Sequence, residues 1–211
     1  MQLEPDPQMT YMSLQEIFTL IYTQNLWQSD QTASGKESTL EHTEVLLHIL
    51  PQVFELLQIQ SILDLPCGDF YWMQYMPLES IAYHGADIVT EMVEKNKATF
   101  GSEHCRFSAL DLTHDDLPAA DLLLVRDCFP FLSNSQIYRC LKNIARHDFK
   151  YVLMTTHLDH RNEDKQTGMW RWINLELPPF NLPPPMKLLP EVPEGKSLGI
   201  WQSQDFQAFR S

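Results

Sequence analysis

The sequence predicts an α/β fold: a mostly parallel sheet with helices on both faces, preceded by a helical extension at the N-terminus. Two observations predict it. From Ser61 onward, short continuous apolar runs alternate with segments of helical period, and strands that read as unbroken apolar runs are those covered on both faces. Three of these runs also end in an aspartate, namely Asp64, Asp87 and Asp111, at the strand ends where open α/β sheets bind their ligands.

The elements follow in order. "YMSLQEIFTLIYTQN" sets Leu14, Ile17, Phe18 and Ile21 at helical spacing and predicts a first helix. A polar loop, "NLWQSDQTASGKES", follows and carries one large aromatic, Trp27. The second helix opens at "STLE", where Ser38 and Glu41 have capping-box spacing. It runs through Val45, Leu46 and Ile49 and is expected to break or kink at Pro51. Strands are predicted at 61–65, 81–88, 105–112, 120–129 and 150–158. Helices are predicted at 90–100, through Met92, Val93 and Asn96, and at 133–147, where Ser133 and Gln136 repeat the capping-box spacing. Seven of the 14 prolines fall between Pro178 and Pro193, so that stretch is expected to be extended and not helical. "KSLGIWQ" after it reads as a final strand closing the sheet. The division expected is a helical extension and lid over 1–58, then a core over 59–211 with a proline-rich C-terminal segment.

Composition narrows the partners. A chain of 211 residues with 44% hydrophobic content fits one decorated domain. A formal charge of −13 argues against nucleic acid and against an anionic membrane surface, both of which call for clustered Lys and Arg. No apolar run reaches the roughly 20 residues of a transmembrane helix. The start, "MQLEPDPQ", is acidic and proline-bearing, unlike a signal peptide. The four cysteines have no metal-ligand spacing and read as reduced thiols of a cytoplasmic protein.

The chemistry gathers at the first turn, "DLPCGDF". Asp87 follows Asp64 by 23 residues, near the offset at which a carboxylate reaches the two hydroxyls of a ribose. A single aspartate at a strand end is an ordinary helix cap. Three in succession point to a ligand resembling adenosine. In this order the residues resemble the class I S-adenosylmethionine-dependent methyltransferases. Pro66 stands where their first motif has its first glycine, Gly68 is the second and Phe70 the third. "LDLPCGDFYWM", "YHGADIV", "LPAADLLLVRDCFPFLS" and "TGMWRWINLELPPFNLPPP" extend the likeness, over most of the chain, to a bacterial branch that carries the proline. A sulfonium amino acid joined to a nucleoside brings no pyrophosphate against the backbone. The first glycine is then less demanding, and a proline stiffens the turn at φ of about −65°.

The resemblance implies a Rossmann-like, seven-stranded, mostly parallel sheet and S-adenosylmethionine as cofactor. Asp64, with Pro66, Cys67 and Gly68 of the turn, would border the methionine end of the donor. Asp87 would hold the ribose, Ile88 would pack on adenine, and Asp111 and the Leu112 amide would meet its edge. Arg126 would lie beside the amino-acid end. Asp127 and His157, at strand ends, are the candidate catalytic groups. Trp27, Trp170 and Arg171 are the candidate acceptor-binding residues, although Trp170 and Trp172 could equally be strand residues facing opposite sides. His157 and His160 offer two weak metal ligands, and no metal is assigned. Ser34, Gly35, Lys36 and Ser38 precede a helix and read either as an anion site or as a polar linker. The expected activity is methyl transfer to an oxygen or nitrogen of a small-molecule acceptor. A nicotinamide-dependent reductase would need a glycine-rich turn and a Tyr/Lys pair, and neither is read here. The alternative of a different kind is a donor-binding fold that acts without catalysis, as a partner or scaffold.

Overall fold

The apolar runs become strands: β1 (Ser61–Asp64), β2 (Ala82–Asp87), β3 (Cys105–Ala109), β4 (Leu122–Val125), β5 (Tyr151–Thr156), β6 (Lys187–Pro190) and β7 (Ser197–Gln202). The computed structural model describes residues 7–191 and 195–210. The first six residues, and Pro193 at the end of the proline-rich stretch, lie outside the described residues. The strands form one seven-stranded sheet in the order β3-β2-β1-β4-β5-β7-β6. Pairing is parallel from β3 to β5 and antiparallel at β5–β7 and β7–β6. All four residues of β4, "LLLV", are buried, as a central strand covered on both faces requires.

Among the described residues there are four α-helices, α1 (Leu14–Thr23), α2 (Leu40–Leu56), α3 (Thr90–Phe100) and α4 (Asn134–Ile144), and the last three pack on the sheet. One apolar cluster joins Leu46, Leu50 and Phe54 of α2 and Val93 of α3 to Ile62, Leu122, Leu124 and Leu153 of the sheet. A second joins Ile137, Leu141 and Ile144 of α4 to Leu63, Leu123, Val152 and Met154, and adds Phe206 and Phe209 from the C-terminal turn; a third gathers Met9 with Ile17 and Ile21 of α1. Alternate residues of each strand therefore feed opposite layers. The division expected at residue 58 passes through the first of these clusters, because α2 packs as part of the covering layer.

Several local expectations need correction. The α2 N-cap is Thr39, which makes no capping side-chain bond to the helix amides, so Ser38 and Glu41 form no box. A box not anticipated from the sequence forms at α1, between Ser13 and Glu16. Helix α2 does not end at Pro51 but continues through it to Leu56. Leu46 and Leu50 before the proline and Phe54 after it are buried in one cluster, and that shared burial offsets the roughly 3 kcal/mol a helical proline costs. The proline-rich stretch is not extended throughout: it turns at 178–180 and then supplies β6. Pro190 ends β6, an edge strand, where a missing N–H leaves no ladder bond unmade. Strand β7 lies one place inside that edge and does not close the sheet. No α-helix separates β1 from β2 or β3 from β4.

Candidate functional site

Strand order reverses between β1 and β4: from β1 the chain steps outward to β2 and β3, then returns across β1 to β4. A cavity of about 470 Å³ opens at the carboxyl ends of these strands, the place where such sheets hold ligands. Asp64, Pro66, Cys67, Gly68, Asp87, Ile88, Asp111, Leu112 and Arg126 all line it, as do Asp127, His157, Trp27 and Trp170. Arg171 does not.

The turn after β1 hangs between its two neighbours. The Leu65 amide donates to Leu124 O at 2.9 Å and the Cys67 amide to Ala86 O at 2.8 Å; the Leu65–Pro66 bond is cis. Gly68 has φ 56°, in the left-handed region where a side chain is strained. Its amide donates to Asp87 Oδ2 at 3.1 Å, and its carbonyl accepts from Asn96 Nδ2 at 2.7 Å. Asp87 Oδ1 accepts from the Val89 amide at 3.0 Å. Asp87 thus keeps acceptor capacity for a further donor. Burial pushes its carboxyl up to about 6, with the amides of Val89, Gly68 and Ile88 pulling it back. Burial likewise pushes Asp64 up to about 7, against the Tyr83 hydrogen bond and the Arg126 charge. Asp111 Oδ1 accepts from the Thr113 amide at 2.7 Å, which turns the chain so that the Leu112 amide has no hydrogen-bond partner among the described residues. Burial also raises the thiols of Cys67 and Cys128 well above their ordinary range, so neither is a nucleophilic thiolate.

The far half of the cavity is aromatic. Trp27 packs on Phe131 at 5.1 Å, and Trp170 meets Trp172 edge-on at 4.5 Å. Trp170 and Trp172 lie on a loop and line the same cavity, so the expectation of opposite strand faces does not hold. His157 is buried beside them, its ring 5.0 Å from that of Trp172. Its Nδ1 lies 3.2 Å from both the amide and the carbonyl of Ile173. Burial lowers its pKa to about 4, so the ring is neutral near pH 7. His160 stacks on Trp172 at 4.0 Å, and no group of three His, Cys, Asp or Glu suited to a metal occurs among the described residues. Arg171 is buried behind this wall. Its guanidinium donates to Leu132 O, Asn134 Oδ1 and Glu163 O, so it ties loop to loop instead of meeting a ligand.

Two features were not read from the sequence. One is a buried ion cluster. Arg126 pairs with Glu191 at 2.7 Å and Asp127 at 3.3 Å, while Lys196 pairs with Asp127 at 2.6 Å and Glu191 at 3.4 Å. Burial works to raise Asp127, but Lys196 and Arg126 outweigh it and hold the carboxyl below its ordinary value. Glu191 follows β6 and Lys196 precedes β7, and neither was singled out in the sequence. The other is a clasp over the turn. Thr32 Oγ1, the Ala33 amide and Ser34 Oγ donate to the Asp69 carboxylate at 2.8, 2.7 and 3.0 Å. Of the residues expected at an anion site, Ser34 is therefore turned on a carboxylate of the chain itself. A Cβ at Gly68 would lie 2.1 Å from Ser34 Oγ, so the glycine also makes room for this loop.

The strand order, the single antiparallel strand next to the edge and the cavity at the switch point describe a Rossmann-like fold, which solved methyltransferases share. Human N-acetylserotonin methyltransferase, solved with S-adenosylmethionine, superposes with a TM-score of 0.63 at 17% identity, over 90% of this chain and 60% of its own. PigF, solved with S-adenosylhomocysteine, gives 0.59 at 13% identity, over 77% of this chain and 56% of its own. The methyltransferase domain of bacterial CtHen1-CN gives 0.57 at 13% identity, over 76% of this chain and 99% of its own. The chain thus spans a little over half the length of the first and second of these proteins. No protein-family model and no curated protein sequence matches it.

Proposed function

We propose that this chain is an S-adenosylmethionine-dependent methyltransferase acting on an oxygen or nitrogen of a small-molecule acceptor. The observation that carries the reading is the meeting of Asp64, Gly68, Asp87, Asp111 and the free Leu112 amide around one cavity at the switch point. The groups suit the donor. Asp64 offers a buried carboxylate to an α-ammonium, and Asp87 keeps acceptor capacity for a ribose hydroxyl. Asp111 and the Leu112 amide offer one acceptor and one donor to a purine edge. When bound, the donor supplies an electrophilic methyl on sulfonium.

For the acceptor, the aromatic wall of Trp27, Trp170 and Trp172 offers flat apolar surface. Asp127, ionised in its two ion pairs, can orient a hydroxyl or amine or take its proton. Arg171 has no part in this reading. The non-catalytic alternative draws on one observation: Asp127 is committed to Lys196 and Arg126, and His157 is weakly basic, so no strong free base stands in the cavity. An acceptor-library screen that detects S-adenosylhomocysteine release separates the two. On an acceptor so found, Asp127→Asn is expected to cut turnover roughly 100-fold while donor affinity holds. Full turnover in that variant assigns Asp127 to structure and moves the acceptor chemistry to His157.

A further inference from the structure

We propose that Tyr83 is a positioning residue of the donor site: its hydroxyl reaches Asp64 from the neighbouring strand and fixes the orientation and charge of the carboxylate that meets the donor's α-ammonium. The inference rests on the donor-site reading above.

The arrangement is built from three strands. Tyr83 and Gly85 of β2 project from the same face, two residues apart, and Gly85 sits in register with Asp64. A side chain at position 85 would begin 3.0 Å from Tyr83 Cε1 and 2.8 Å from the Phe107 ring. The glycine therefore leaves the space through which the Tyr83 ring leans along β2 toward the end of β1. Phe70 at 5.1 Å and Phe107 at 6.0 Å hold that ring. Its hydroxyl donates to Asp64 Oδ2 at 2.6 Å, with both residues buried. Asp64 lines the cavity, and its Oδ1 has no hydrogen-bond partner among the described residues. One oxygen is thus held from behind and the other is left for a ligand.

A buried tyrosine needs some acceptor for its hydroxyl, and a core role would be satisfied by a backbone carbonyl. Here the partner is a carboxylate that lines the cavity at the switch point. The charged and titratable groups around Asp64 are Arg126 at the end of β4, Asp87 at the end of β2 and the Cys67 thiol on the turn. Arg126 and the Tyr83 hydroxyl favour the anion, while Asp87 and burial oppose it. Removing the hydroxyl shifts that balance toward the neutral acid, which an ammonium binds less well.

The test is calorimetry of S-adenosylhomocysteine against pH, with 5′-methylthioadenosine, which lacks the amino-acid end, as the control ligand. In the wild type, affinity for S-adenosylhomocysteine is expected to fall as pH drops through about 7, while 5′-methylthioadenosine does not follow. In Tyr83→Phe the midpoint is expected to rise by about one pH unit, so affinity at pH 7 falls up to about tenfold with the control ligand unchanged. If the Phe variant fails to fold, 3-fluorotyrosine at position 83 decides the matter. It keeps the shape, makes a more acidic donor and should move the midpoint downward. Coincident midpoints, or equal weakening of both ligands, overturn the inference alone. A wild type that binds neither nucleoside overturns the donor-site reading and the inference with it.

Discussion

Asp64 is a carboxylate buried at a strand end, and its stability balance follows from that position. Its native pKa is about 7 against an ordinary 3.8, so between those values the native state keeps a proton that the unfolded chain has lost. Stability therefore falls as pH rises through this window and levels off above it. Asp64→Asn removes the charge and keeps the shape. The ligand-free variant is expected to be more stable than wild type by a few kcal/mol at pH 8, with the difference nearly gone by pH 4. Urea melts at the two pH values read it, and an equal gap at both would contradict the burial account. Asp64, Asp87 and Asp111 were legible in the sequence because one residue type recurs at successive strand ends. Arg171 was misread: an arginine between two tryptophans suggests a binding surface, yet three oxygen acceptors behind the wall claim it. Glu191 and Lys196 carried no signal, because only the sheet order brings these two residues to the end of β4.

At the scale of elements, strands and helices were legible wherever burial enforces a period, as in β4 and α4. They were not where one side chain decides, as at Thr39, or where a short edge strand lies among prolines, as in β6. The ion cluster joins β4 to the β6–β7 hairpin, and the Glu191 side chain is 0% exposed. Glu191→Ala would leave Arg126 and Lys196, two buried cations, sharing Asp127 as their remaining close carboxylate, so it is expected to destabilise the fold by about 3–5 kcal/mol. That loss should vary little with added salt, because buried pairs are weakly screened, and a loss that fades at high salt would mark an exposed cluster. The loop around Ser34 is our proposed lid, and Asp69 is its clasp. Asp69→Ala is expected to speed amide exchange across residues 27–40, and bound S-adenosylhomocysteine to slow it in the wild type. Exchange rates that ignore both changes would leave this stretch a plain linker.

At the scale of the whole molecule, the alternation of runs from Ser61 was enough to foresee a parallel, doubly covered sheet. The position of β7 and β6 was not, since it depends on long-range antiparallel pairing that leaves no local period. The −13 charge is consistent with a cavity rich in aspartate, and among the described residues no helix is long and apolar enough to cross a membrane. Fold alone admits many chemistries, so the central claim stands on the donor site. The measurement that tests it most directly is calorimetric titration of S-adenosylhomocysteine into the wild type and into Asp87→Ala. Micromolar binding is expected in the wild type. The variant should lose on the order of 1–3 kcal/mol, because the ribose hydroxyls lose a charged acceptor. No heat and no thermal shift at millimolar ligand, or equal affinity in the two proteins, would contradict it.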